Sequence, residues 1–189
     1  MDAAFETCPG CGLELPQVGG ATHPYIGASP SCWALFGEVL AREYADATYM
    51  TVHQLTVDSY AVQHPGTQDP RAIRSVWGHL VSLYWQLDQG QPAAEAQTLI
   101  PLATRLADGL GQLGPPSRRP DLTVADVIGA TTAVEHRERV EAWARDVWTA
   151  WEEHRGRIAE VARRALDDRR QRGRAQDGRS AATRGARND

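Results

Sequence analysis

The chain has 189 residues, 42% of them hydrophobic and 23% charged, with a net charge of −4. That balance suits a water-dissolved globular chain large enough to bury a real core. No apolar run approaches the roughly 20 residues that cross a bilayer, and the start MDAAFETC has no basic leader before an apolar stretch, so a cytoplasmic protein without membrane contact is expected.

Residues 1–30 read as an irregular segment, because prolines and glycines interrupt every period. Helical periodicity begins afterwards. Ser31 is a good N-cap for a helix through CWALFGEVLAREY, in which Trp33, Phe36, Val39 and Leu40 recur at helical spacing. A second helix fits Tyr49 to Gln63 and stops at HPG. The third has the clearest punctuation: Asp69 as cap, Pro70 in the first turn and Gly90 past the end. Between them Ile73, Val76, Trp77, Leu80, Leu83, Tyr84 and Leu87 form one apolar stripe.

Ala93 to Leu110 is helical by composition, with a kink expected near Pro101. After the loop LGPPSRRPD, Thr123 and Asp126 approximate a capping box for a short helix at 124–129. A last long helix starts near Val134 and carries Val140, Trp143, Val147, Trp148, Trp151, Ile158 and Val161. Trp77, Trp143, Trp148 and Trp151 fall on apolar stripes and are expected in the core. The expected fold is all-α: a single helical bundle at 31–168, an irregular zinc-knuckle segment at 1–30, and a disordered Arg-rich tail at 169–189.

All three cysteines lie in that first irregular stretch and the turn that follows it. Three thiols cannot all pair within one chain, which argues against a disulfide framework. In CPGCG, Cys8 and Cys11 can face one ion if the chain turns tightly, with Pro9 fixing one dihedral and the glycines free to take positive φ. A structural zinc takes four N/S ligands. Cys32 supplies a third, in the first turn of its helix where the dipole favours thiolate. His23 is the natural fourth, giving Cys-x2-Cys-x11-His-x8-Cys and one zinc per chain; a water or a carboxylate such as Glu6 or Glu14 is the alternative.

The middle helices hold a second group: His53, Asp58, Tyr60 and His64, then His79. On a helical wheel His53 and Tyr60 lie within about 20° of each other. If the two helices pack antiparallel, His53, His64 and His79 could converge as a pocket for a general base or a second metal. The other reading has each histidine as a hydrogen-bonded structural side chain. Asp58 points away from His53 and could cap a turn or pair with Arg71 or Arg74. His136 and His154, flanked by Glu and Arg, read as solvated.

Residues 163–189 carry nine arginines and four aspartates, net +5, while the remainder, with 20 acidic groups against 11 arginines, is net −9. The chain has no lysine, which reads as compositional bias rather than phosphate recognition. The basic end lacks aromatic residues for stacking and its aspartates dilute it, so no nucleic-acid site is assigned.

The segments CPGCG, THPYIGASPSCWALFGEVLAREY and VHQLTVDSYAVQHPG resemble the signature segments of an uncharacterised bacterial family, domain of unknown function 5946. The resemblance covers most of residues 8–151 and is densest over 8–87. It implies that Cys8, Cys11, His23, Cys32, His53, Asp58 and His64 fall within motif segments, and it carries no activity to transfer. Two functions therefore stand. One is a helical protein stapled by zinc, acting as an accessory or interaction protein with a protein or small-molecule partner. The other is an enzyme whose pocket holds His53, Asp58, Tyr60, His64 and His79.

Overall fold

The computed structural model describes residues 4–67 and 69–185, with side chains described through Arg174. Seven α-helices and one two-stranded hairpin are found among them. The hairpin pairs β1 (Phe5–Thr7) with β2 (Glu14–Pro16) antiparallel, Phe5 opposite Pro16 and Thr7 opposite Glu14. Strands of three residues are too short to leave a readable period-2 pattern, so this ordered element stands where an irregular segment was expected.

Helix α1 (Pro30–Ala45) is capped by Ser29, whose hydroxyl accepts from the Cys32 N–H at 3.2 Å. The cap lies two residues before the expected Ser31, because Pro30 can occupy the first helical position, where its missing N–H costs nothing. Ser31 instead ties the hairpin to the helix: its hydroxyl donates to the Pro16 carbonyl at 2.8 Å and accepts from the Val18 N–H at 3.0 Å. A 3-10 turn (Met50–Val52) leads into α2 (His53–Gln63).

Helix α3 (Pro70–Leu83) begins at the expected cap, Asp69, which accepts from the Arg71 N–H at 2.7 Å. It ends in a wider π turn (Tyr84–Asp88) before Gly90. Helix α4 (Ala93–Leu106) holds Pro101 in its interior on an exposed face. Helix α5 (Val124–Ile128) has the expected capping box, Thr123 with Asp126. The last long helical stretch is divided by a 3-10 turn (Glu152–His154) into α6 (Ala133–Ala150) and α7 (Arg155–Gly185).

Helix α3 packs on α4 and α2, α2 on α6, and α4 on α7, while α5 links α1 to α6. The shared core contains Trp77, Leu80, Leu99, Val140, Trp143, Val147, Trp151 and Ile158, each at most 1% exposed. Together with Trp148 at 4%, all four tryptophans on the stripes are buried as expected.

Helix α7 continues to Gly185, beyond the point where order was expected to end. Among its described side chains the last fully buried one is Ala165. Past it, Arg169 reaches α4, donating to Glu95 at 2.9 Å and Thr98 at 2.8 Å, and Arg172 bonds Asp168 one turn back. Polar contacts of this kind carry no apolar period, so hydropathy does not reveal them. The end of the expected tail, residues 186–189, lies outside the described residues. No helix is long and apolar enough to cross a membrane among the described residues.

Candidate metal centre

The hairpin turn sets the first two donors. The Cys8 N–H donates to the Leu13 carbonyl and the Gly12 N–H to the Cys8 carbonyl, both at 2.8 Å. Gly12 has φ of 81°, a left-handed conformation that side chains rarely adopt. At Gly10 a Cβ would stand 2.5 Å from the His64 ring and 2.8 Å from the Gly27 carbonyl, so only glycine lets the knuckle approach the end of α2. Cys32 enters from the first turn of α1. His64 caps the C-terminus of α2, and its carbonyl accepts from the Gly27 N–H at 2.9 Å.

Cys8, Cys11, Cys32 and His64 thus offer four buried donor atoms, all within 4.8 Å of one another. Cys11 Sγ is 3.8 Å from Cys32 Sγ, and Cys32 Sγ is 3.4 Å from His64 Nε2. A tetrahedral ion with bonds to sulfur of about 2.3 Å spaces its sulfurs about 3.8 Å apart. The imidazole is also oriented for ligation: Nδ1 lies 2.8 Å from the Tyr60 carbonyl, to which its N–H donates, leaving the Nε2 lone pair toward the sulfurs. The donor set fits a metal ion.

The donors also perturb one another's charge. Hydrogen bonds from Cys11 and Cys32 push the Cys8 thiol down, whereas Cys11, Cys8 and then burial push Cys32 up. Burial alone would lower His64, but Cys11 and Cys8 outweigh it and raise the imidazole to about 9. Tyr60 is pushed above the usual phenol range, by burial first and then by Cys32, whose Sγ accepts from the Tyr60 hydroxyl at 3.5 Å. The Tyr60 ring stacks between Phe36 and His64, with centroids 3.8 and 4.0 Å away. The candidate carboxylate Glu6 is used elsewhere: its Oε1 accepts from the Ser31 N–H at 2.8 Å, and bonds from Ser31 hold its carboxyl below the usual range.

Two expectations are corrected. His23, the expected fourth ligand, is absent from the donor group; its ring lies 4.1 Å from Tyr25 and 5.7 Å from Trp33, centroid to centroid. The loop that carries it places the ring in the lining of a neighbouring cavity, and the end of α2 brings His64 to the sulfurs instead. Nor do His53, His64 and His79 converge. His64 faces the cysteines, while His53 and His79 each face a different buried carboxylate.

His53 Nδ1 lies 2.7 Å from Glu43, and Tyr44 contacts its other nitrogen at 3.2 Å. The same Glu43, 1% exposed, takes Thr56 at 2.6 Å and His136 Nε2 at 2.9 Å. His136 is therefore fully buried rather than solvated. His154 is partly exposed, with Nε2 3.0 Å from the Gly114 carbonyl. Asp58, fully buried, neither caps a turn nor meets an arginine; it accepts from Gln54, His79, Ser82 and Gln86 at 2.6–2.9 Å. Of the expected pocket only Asp58 with His79, and Tyr60 with His64, are in contact.

A sequence model of the Family of unknown function (DUF5946) matches residues 6–152, a span that includes all four donors of the cluster. No curated protein matches the chain, and no solved structure matches it.

Proposed function

The chain belongs to the Family of unknown function (DUF5946), and on that premise we propose that it is a zinc-binding helical protein in which Cys8, Cys11, Cys32 and His64 hold one ion in a structural role. The supporting observation is the His64 ring, with Nδ1–H held by the Tyr60 carbonyl and Nε2 3.4 Å from Cys32 Sγ. A three-thiolate, one-imidazole set favours zinc among divalent ions that keep tetrahedral geometry. With four buried protein donors the shell has no open position for substrate, so the ion organises the fold and does not act on a reactant. Bound in this way it fastens the hairpin to α1 and to the end of α2. Thiolates free for a metal suit a reducing compartment such as the cytoplasm. At the level of the whole protein, this reading favours an accessory or interaction role over catalysis at the cluster.

Elemental analysis of protein purified under reducing conditions tests the assignment. The expected result is one zinc per chain in the wild type and in His23→Ala, and a large loss in Cys11→Ser and His64→Ala. Cobalt substituted for zinc should show the intense visible bands of a tetrahedral thiolate site in the wild type and in His23→Ala. Equal zinc in the wild type and Cys11→Ser overturns the reading. Loss in His23→Ala with retention in His64→Ala replaces the fourth ligand.

A further inference from the structure

A cavity of about 400 Å³ opens between α1, α2, α3, α4 and the loop that carries His23 and Tyr25, on the far side of Tyr60 from the cysteines. Its wall is apolar and aromatic, with Trp33, Phe36 and Tyr60 on one side and Ile100 on the other. The polar groups come from one face of α3: Arg71, Ser75 and His79 recur every four residues, with Arg74 beside them.

His79 is held for use from this cavity. Asp58 takes its Nδ1 at 2.7 Å, and three further donors fill the remaining acceptor sites of that carboxylate. The carboxylate therefore fixes the ring plane and leaves Nδ1–H as the donor. Nε2 has no protein partner among the described residues, and the side chain lines the cavity with 19% of its surface exposed. A histidine buried only for packing has both nitrogens satisfied or shielded; this one keeps a lone pair open toward space large enough for a small molecule. The guanidinium of Arg71 has no partner among the described residues. Arg74 bonds Asp108 through Nε alone, which leaves its terminal nitrogens available.

We propose that this cavity binds a small organic anion with an aromatic or apolar body. The anionic group is met by Arg71 and Arg74, the body lies against Trp33 and Phe36, and a ligand O–H or N–H donates to Nε2 of His79. Guanidinium with an organic acid is a charge-assisted pairing, and the aromatic wall supplies the area that holds the remainder. None of the four metal donors lines the cavity; Tyr60 is common to both sites, lining the cavity and donating to Cys32 Sγ.

The probes are 8-anilinonaphthalene-1-sulfonate, an aromatic anion, and its neutral counterpart N-phenyl-1-naphthylamine, titrated by fluorescence into zinc-loaded protein. The expected result is saturable binding of one sulfonate per chain, about tenfold tighter than the neutral probe, the size of one charge-assisted contact. Arg71→Ala/Arg74→Ala changes exposed side chains and should retain the wild-type circular dichroism while removing that tenfold preference. Thr104→Trp, which fills the cavity from α4, should abolish binding of both. Diethyl pyrocarbonate should acylate His79 in free protein, as mapped by mass spectrometry, and saturating sulfonate should protect it. Absence of saturable binding to folded, zinc-loaded protein overturns the proposal. So does a preference that survives the double substitution, or a His79 acylated equally with and without probe.

Discussion

Within residues 4–29 only Cys8, Cys11 and Ser29 are fully buried, and Phe5 and Val18 stand exposed. Helix α6, eighteen residues long, buries Val140, Trp143, Ala144, Val147 and Trp148. One region removes little apolar area from water, through the partly buried Leu13, Leu15, Ile26 and Ala28; the other removes a great deal, at roughly 25 cal/mol per Å². The first is nonetheless joined to the bundle by two thiols, a capping serine, the Ser31 hydroxyl and the Glu6 carboxylate. The contrast teaches that hydropathy locates the bundle and is silent about what is tied to it by directed bonds.

Removing the metal should break that contrast most visibly. Zinc sites can contribute folding free energy directly, and for a chain of this size each kcal/mol corresponds to about 2–4 °C. Chelation should therefore lower Tm by about 10–20 °C. Amide exchange should accelerate over residues 5–16 and 23–33 while α4, α6 and α7 keep their protection. Equal loss everywhere would mean that the two regions are one cooperative unit.

Leu99→Ala probes the opposite side. Leu99 is fully buried on α4, and such truncations cost about 2–5 kcal/mol. Calorimetry should show that loss with zinc stoichiometry unchanged; zinc lost together with stability would erase the distinction. The smallest effect falls on the joint between the regions. Ser29→Ala removes the cap on the Cys32 N–H and should cost about 1 kcal/mol. Because Cys32 is also a donor of the cluster, zinc affinity measured by competition should weaken as well, sharpening the comparison to a single residue.

The parts legible in the sequence follow from the same contrast. Helices α3 and α5 were readable from Asp69, Pro70, Thr123 and Asp126, because caps are local chemistry. The three cysteines were readable as one group because the knuckle spacing and the helix start are also local. The fourth donor was not: Cys8 and His64 meet only after α1 and α2 have packed, and His23 was nearer in sequence. The signal available was the position of His64 at a helix end immediately before Pro65-Gly66, a place where a side chain can turn back on its own helix. His136 had a signal too, lying one turn before Val140 on the buried stripe of α6, although Glu135 and Arg137 gave it a solvated appearance. Glu43 and Asp58 could not be read, since a buried carboxylate is recognisable only once its donors, from two other helices in the case of Glu43, are assembled.

The placement of His64 at the far end of α2 has a consequence for biogenesis. In a chain that stops short of the second helix, Cys8, Cys11 and Cys32 are present without the His64 imidazole that completes the proposed ligand set. On the proposed assignment tight capture would be deferred until both helices exist and have docked. Under the proposed zinc assignment, a truncated or mispacked product would hold its ion loosely, and metal retention would report completed assembly.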